Sequence, residues 1–521
     1  MFKSATLRVY QALHTWTGLI AGFALFVAFY AGAITVFHEE LHTWQSPAAR
    51  TAPASALSQA AAAIDAFVAA HPAARAEMTL VLPGSHSPQL SAWWFDGEWR
   101  HAPVGPAVLV DHGAGLSDLV NRIHYSLGIP EAGLYLMGII SVLYGLALVS
   151  GLIVHLPLLK KDLFALRPGK NLKRFWQDAH NVIGVLSLPF HLVFAVTGAI
   201  FCLFGVVLAA FDFAAFDGKL AAEVPAATMA AVARPAAGRP GAMLPPAELL
   251  SRARAAAPGF APDALRYLNY GDASAVVEVR GRMPQSLGTY GGLALDAVSG
   301  RVLNVQLADR RDANHGGLSV VYGLHFGNYG GALVKGLYFL LGLAGAFLFY
   351  SGNLLWIEAR RKRRHADQPR RTRIMAQATV GVCIGTCIGI SAAFVATLAA
   401  QSAGISATTA EQAACFGAFF AALAWAFCRP PARAAIELLT AAGLVTLAIP
   451  LANAVLTGDH LLATPWRGEW IVFGVDAVAL ALGLGFLRLA VATHRRATTG
   501  DANSVWTLPP PARPATAVQT A

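Results

Sequence analysis

The sequence predicts a mainly α, polytopic membrane helix bundle of about eight spans that carries two extramembrane α+β modules. Three observations predict this. Of 521 residues, 56% are hydrophobic and only 13% are charged, against about 25% charged in soluble chains. The apolar residues gather into stretches of roughly 20, the length that crosses about 30 Å of hydrocarbon. Finally, one pattern of histidines and glycines occurs twice, so the first two thirds of the chain reads as a duplication.

The spans fall at approximately 13–37, 134–157, 181–210, 332–357, 375–399, 411–428, 434–456 and 469–491. Lys3 and Arg8 before the first apolar run resemble the start of a signal peptide. That run is too long for a signal-peptide core and ends in Phe37-His38-Glu39-Glu40 without small residues for cleavage, so it reads as an uncleaved first span. Orientation follows from Lys and Arg in short loops. Lys160, Lys161, Arg167, Lys170, Lys173 and Arg174 precede span three, and a run from Arg360 to Arg373 follows span four. Arg429, Arg433, Arg495 and Arg496 fall on the same side if both termini are cytoplasmic, whereas the opposite short loops hold only Arg467. The expectation is a multi-pass membrane protein, in contact with lipid, with N and C termini cytoplasmic. The basic runs then act as topology determinants and account for much of the net charge of +10. They do not call for nucleic acid as a partner.

Residues 1–157 form the first repeat: a span, a periplasmic module over about 43–122, and a span. A cytoplasmic basic loop, 158–180, leads to the second repeat, 181–358, with its module over about 213–325. In the second module Pro245 to Ala257 reads as a Pro-led helix, and strand-like runs follow at 264–270, 274–280, 290–296 and 301–306. Asp296-Ala-Val-Ser-Gly300 reads as the turn between the last two. The first module has a helix at about 55–70, strands near 77–82, 89–95 and 107–111, and then Asp111 and Gly115, again four apart. A second basic loop, 359–373, precedes an additional four-span domain, 374–496, and a Pro/Ala/Thr-rich tail, 497–521, reads as disordered.

The histidines carry the chemistry. His14 precedes Gly18 by four residues and Gly32 by eighteen; His180 stands in the same relation to Gly184 and Gly198. His124 precedes Ser150-Gly151 by 26 and 27 residues, and His325 precedes Ser351-Gly352 by the same spacing. Under the topology above, His14 and His180 meet one membrane face, and His124 and His325 meet the other. A buried imidazole needs a bond, and axial ligation of haem iron provides one. Each pair can clamp one haem, giving two haem b groups. His191 lies eleven residues after His180, roughly 16 Å deeper on the same face of a continuous helix. It has no duplicated partner, since Leu25 matches it. It reads as a ligand, a propionate contact, a relay between haems, or a group bonded to a helix carbonyl beside Pro189.

Other features carry less. Cys383 and Cys387 share a helix face as small packing residues. Asp476 and Glu437 are carboxylates inside apolar runs. His38 and His42 share a helix end, as a surface metal site or a solvated terminus, and His155 ends span two. The run Trp93-Trp94-Phe95 to His101 concentrates aromatics near a hairpin, to contact a ligand or membrane, or to pack a core.

Taken together, the His14…Gly18 start, Arg122-Ile-His124-Tyr-Ser-Leu, Trp176 to Gly184 with Leu188-Pro189-Phe190 and Thr197-Gly198, and Leu324-His325-Phe-Gly with Gly352-Asn-Leu-Leu-Trp356 resemble the PepSY-associated transmembrane family over about residues 5–365. The Asp296–Gly300 turn is similar to that of PepSY modules, so both periplasmic modules are expected to be PepSY-like. The resemblance implies a role in iron uptake, and characterised relatives include di-haem reductases that release iron from ferric siderophores. A ferric-siderophore substrate is therefore expected. The chain has no Gly-rich βαβ unit for a dinucleotide, so an external electron donor, quinol or a separate reductase, is required. Two other classes compete: a non-redox transporter or accessory subunit, and a regulatory module that binds peptides or proteins.

Overall fold

A computed structural model describes residues 4–508 except 48–49, 51–56, 58–59, 85–88, 106–113, 160–166, 168–170, 221–222, 225–227 and 232–233. Eight helices are long and apolar enough to cross a membrane: Ser4–Thr35, Ala132–His155, Leu188–Phe216, Gly331–Ala359, Arg370–Ala403, Ala407–Cys428, Pro431–Leu456 and Trp470–Thr499. These are spans one to eight. One buried cluster joins Leu25 and Phe29 of span one to Tyr144 of span two, Ala195 of span three and Ala346 of span four. It continues into Cys387 and Phe394 of span five and Ala479 of span eight. The last four spans therefore pack onto the duplicated half.

Span three begins later than its hydropathy implies. Residues Leu172–Leu186 form a separate helix in which Asn171 caps the first turn by accepting from the Arg174 N–H at 3.3 Å. The helix breaks at Ser187, and Leu188–Phe211 begins with Pro189 in its first turn. Pro189 has no N–H to offer the carbonyl of Val185, which ends the first helix there. His180 and His191 thus lie on two helices, and the single-face argument from their spacing does not run through the break.

The strands of both extramembrane modules form one antiparallel sheet in the order β3-β2-β1-β4-β5-β6-β7. They are β1 (Glu77–Val81), β2 (Ser91–Phe95), β3 (Trp99–Pro103), β4 (Ala261–Leu268), β5 (Val276–Arg282), β6 (Tyr290–Asp296) and β7 (Val302–Gln306). The two repeats meet where β1 pairs with β4, Glu77 opposite Leu268 and Val81 opposite Ala264. Alternation puts Met78, Leu80, Leu265, Tyr267, Val277, Val279, Leu293 and Leu295 on one face, where the helices Ala60–Ala70 and Pro246–Ala256 cover them with Ile64, Phe67, Leu249 and Leu250. The hairpin turn at Asp296 is present: Gly300 N–H donates to the Asp296 carbonyl at 2.8 Å. The Asp296 carboxylate accepts from Ser299 N–H at 2.8 Å. β3 was not expected, and the strand expected near 107–111 lies outside the described residues.

The opposite face of the sheet buries an ion pair, Arg266 with Glu278 at 3.3 Å, and Arg266 also meets Glu77 at 2.8 Å. Glu278→Ala leaves the buried guanidinium with Glu77 and the Ala231 carbonyl but without its buried counter-charge. It is expected to destabilise the extramembrane unit by about 3 kcal/mol, the low end for breaking a buried pair because Glu77 remains. Thermal unfolding of the variant against the parent measures this.

Salt bridges fasten this unit to the membrane helices. Glu39 and Glu40, on the short helix His38–Gln45, pair with Arg282 of β5 and Lys335 of span four, both at 2.7 Å. At the other end, residues 501–508 depart from the expected disorder. Asp501 pairs with Arg361 at 2.7 Å, and Val505 and Trp506 pack against Leu354, Ile357 and Ala376. The remainder of the expected tail, 509–521, lies outside the described residues.

Candidate functional site: two histidine pairs

The four duplicated histidines meet two by two. The rings of His14 and His180 have centroids 6.2 Å apart; those of His124 and His325 are 6.0 Å apart. His14 sits on span one, His180 on the helix before span three, and His124 and His325 on short helices, Leu116–Ser126 and Ala313–Phe326. Along span one the rise from His14 to Gly32, where His124 packs, is about 27 Å. The pairs thus occupy opposite ends of the bundle.

Each ring is oriented through the same nitrogen. Nδ1 of His14 donates to the Ala147 carbonyl at 2.9 Å. Nδ1 of His180 donates to the Leu348 carbonyl at 3.1 Å and lies 3.3 Å from Ser351 Oγ. Nδ1 of His124 donates to the Ala28 carbonyl at 2.8 Å. Nδ1 of His325 donates at 2.7 Å to Thr197 Oγ1, whose own hydrogen goes to the Val193 carbonyl at 2.7 Å. The three carbonyls only accept, so Nδ1 of His14, His180 and His124 carries the proton and Nε2 keeps its lone pair; His325 takes the same tautomer when the Thr197 hydrogen is committed to the Val193 carbonyl. A partner on the other ring nitrogen is what fixes a metal-binding imidazole.

Three glycines of the repeat pattern, Gly151, Gly352 and Gly32, are places where a ring approaches a helix. A Cβ at Gly151 would stand 2.8 Å from His14 Cε1, and one at Gly352 would stand 3.3 Å from His180 Cε1. At Gly32 it would stand 2.6 Å from His124 Nδ1. The Ser-Gly pairs therefore serve His14 and His180, not His124 and His325, to which their sequence spacing first tied them. His325 departs from the repeat, resting on Thr197 where the first copy has Ala31.

The pair His14–His180, labelled the inner pair, with His124–His325 the outer pair, borders a cavity of about 730 Å³, also lined by Arg8, Lys173, Asn181, Asn353, Trp356 and Arg360. Among the described residues, Asn353 Nδ2 and His155 Nε2 are buried polar atoms without a partner, and both residues line this cavity. An iron taking one imidazole nitrogen at about 2 Å from each side, with each ring centre roughly 1 Å farther back, sets the ring centres about 6 Å apart. Both pairs meet that spacing. The inner cavity also has the volume for a macrocycle and cations for its carboxylates. The outer pair borders only about 50 Å³, closed by Phe29, Phe190, Phe194, Phe326 and Tyr338. A macrocycle fits there only if these aromatic side chains turn aside.

His191 joins neither pair. It is fully buried at 0% exposure, with Nδ1 2.5 Å from the Tyr144 hydroxyl and Nε2 without a partner. The helix carbonyl considered as its partner from the sequence is replaced by the Tyr144 hydroxyl. Tyr144 lines the inner cavity and Phe29 the outer one; both rings lie within 6.0 Å of His191. His191 therefore stands between the two sites in an aromatic column.

Other expectations resolve simply. His38 Nε2 pairs with Asp118 at 3.0 Å, which makes it a tie to the His124 helix. Glu437 accepts from Trp425 Nε1 at 2.7 Å and lies 3.5 Å from Arg429, at a span end. Cys387 donates to the Cys383 carbonyl at 3.4 Å, a packing arrangement. Trp94 belongs to the module core, while Trp93, Phe95 and Trp99 are exposed on the other face of the hairpin. The sequence reading missed Tyr144, Thr197, Asn353 and Glu411. Thr197 was the legible one, because it breaks the match with Ala31.

The His325 helix has its own cap. Asp312 accepts from Asn314 N–H at 3.0 Å and His315 N–H at 3.1 Å, and the His315 ring at 2.8 Å is the main cause holding its carboxyl below the ordinary value. A lowered carboxyl keeps its stabilising charge above the unfolded value and loses it only as pH falls through the lower, folded one. Protection of the Asn314 and His315 amides is thus expected to survive acidification to about pH 4, as hydrogen exchange measures.

A duplicated helix pair with a histidine pair at each end, under a shared antiparallel sheet, defines a multi-pass membrane protein. The chain belongs to the PepSY-associated TM family, whose profile matches residues 11–359. The uncharacterized protein PA4219 of Pseudomonas aeruginosa is 26% identical over 277 residues, 51% of this chain and 68% of that protein. Spans five to eight lie beyond the family match.

Proposed function

We propose that this protein is an inner-membrane haem-carrying reductase that passes electrons across the membrane to ferric iron in periplasmic siderophore complexes. The observation that carries the reading is the pair of facing imidazoles at each end of the bundle, 6.2 and 6.0 Å apart, with Nδ1 already engaged. Haem b held at the two pairs would supply reversible one-electron chemistry.

The chain's own residues do the rest. The helix carbonyls of Ala147, Leu348 and Ala28 and the Thr197 hydroxyl fix which nitrogen faces the ligand. Arg8, Lys173 and Arg360 border the inner cavity and would meet carboxylates there. Phe29, Tyr144, Phe190 and Phe194 exclude water between the pairs. The Lys and Arg distribution favours an orientation with the His14–His180 pair on the cytoplasmic side and the sheet in the periplasm.

In the overall reaction one quinol, or two electrons from a separate reductase, reduces two ferric complexes to ferrous; quinol oxidation releases two protons. Hard oxygen ligands hold Fe(II) less tightly than Fe(III), so reduction releases the metal. In proteoliposomes with a reduced quinol and a ferric hydroxamate outside, a ferrous trap is expected to colour at a rate proportional to protein. Absence of colour with haem-loaded protein would count for the non-redox accessory role.

A further inference from the structure

The helix that carries His124 starts without a cap of its own. Its N-cap is Gly115, which has no side chain to offer, yet the first N–H groups of a helix need acceptors. They are supplied from elsewhere. Glu411 of span six accepts from Gly115 N–H at 3.0 Å through Oε2 and 3.3 Å through Oε1. Gln45 Oε1 accepts from Ser117 N–H at 2.9 Å.

Both acceptors are held by the four spans that lie beyond the family match. Glu411 is 0% exposed and takes a hydrogen bond from the Thr397 hydroxyl of span five at 2.9 Å. Gln45 donates to the Ala114 carbonyl at 3.0 Å, and its own carbonyl accepts from Gln401 of span five. Its neighbour Trp44, also 0% exposed, donates to Asp476 of span eight at 3.2 Å. Asp476 is in turn oriented by Asn453 of span seven at 2.8 Å. Every extra span contributes a side chain to this contact. The second repeat needs no such help, because Asp312 caps the His325 helix within its own chain segment. A carboxylate at a helix N-terminus also meets the favourable end of the helix dipole.

We infer that spans five to eight are a brace for the first repeat, and that Glu411 is the positioning residue that sets the His124 helix through its first turn. The helix is short and stiff, so a shift at Gly115 is carried to His124 and hence to the spacing of the outer ring pair. The brace itself stands on the hydrogen bonds; its consequence for an outer haem rests on the reading of His124 as an axial ligand.

The test is hydrogen exchange on the full chain in detergent, comparing Glu411→Ala, Glu411→Gln and the milder Thr397→Val with the parent. In Glu411→Ala, amides in the first turn of Leu116–Ser126 are expected to exchange about tenfold faster, the scale of a lost cap. Those of Ala313–Phe326 stay unchanged. Glu411→Gln keeps a carbonyl acceptor and stays near the parent; Thr397→Val, which only loosens Glu411, shifts the same amides in the same direction by less. In haem-loaded protein, Glu411→Ala shifts or removes only the haem signal that His124→Ala removes. Unchanged exchange in the His124 helix, or equal acceleration in both histidine helices, overturns the brace. A parent chain that holds no haem overturns the haem reading instead, and the exchange comparison still decides the brace.

Discussion

His180→Ala is expected to halve the haem bound per chain, from two to one, with the loss confined to the inner site. The ring is one of two facing imidazoles and its Nδ1 is committed to Leu348, so no neighbouring group takes its place. His155 lines the same cavity about one turn beyond Gly151, so the double variant His155→Ala/His180→Ala controls for its taking the place of His180. Replacing an imidazole by a methyl group at a cavity wall adds space and removes no apolar packing, so folding is expected to survive. Pyridine haemochrome content per chain and the low-spin spectral signature measure the effect. Retention of both haems in a folded His180→Ala protein contradicts the pairing of His14 with His180.

Gly32→Val is expected to produce the complementary loss. Here the histidine is intact and only the room beside it is taken. A Cβ at this position comes within 2.6 Å of His124 Nδ1, closer than side chains pack, and the two further methyl groups of valine add to the overlap. The ring must leave the Ala28 carbonyl, which frees its tautomer and its direction together. Overpacking of this kind costs about 1–3 kcal/mol, a loss a bundle of this size withstands. The outer haem signal should vanish while the inner one stays. Gly151→Val, against the His14 ring at 2.8 Å, should do the reverse. Two glycines eliminating different haems is a result that a general loss of stability does not produce.

The spans and the duplication were legible because lipid leaves the backbone few choices: every N–H and C=O must be paired within a helix, so apolar length alone marks the elements. The histidine pairs were legible because the repeat sets His14 beside His180 and His124 beside His325. The break at Ser187 was not, although Pro189 was in view, because apolar residues continue across it and the period of the pattern says nothing about a missing N–H. The shared sheet was also hidden. Pairing of β1 with β4 depends on how two distant segments meet, and local alternation marks each strand without naming its neighbour. Glu411 was passed over at the start of an apolar run, since only the three-dimensional structure shows the uncapped helix it serves. The aromatic closure of the outer pair belongs to the same class, because Phe29, Phe194 and Tyr338 come from three different spans.

The most direct measurement of the central claim is the haem content and reduced-minus-oxidised visible spectrum of the purified full chain. The account predicts two b-type haems per chain with low-spin, bis-histidine spectra and two resolved midpoints on potentiometric titration. A chain that is folded, monodisperse and supplied with haem during expression, yet shows no Soret band, would contradict it.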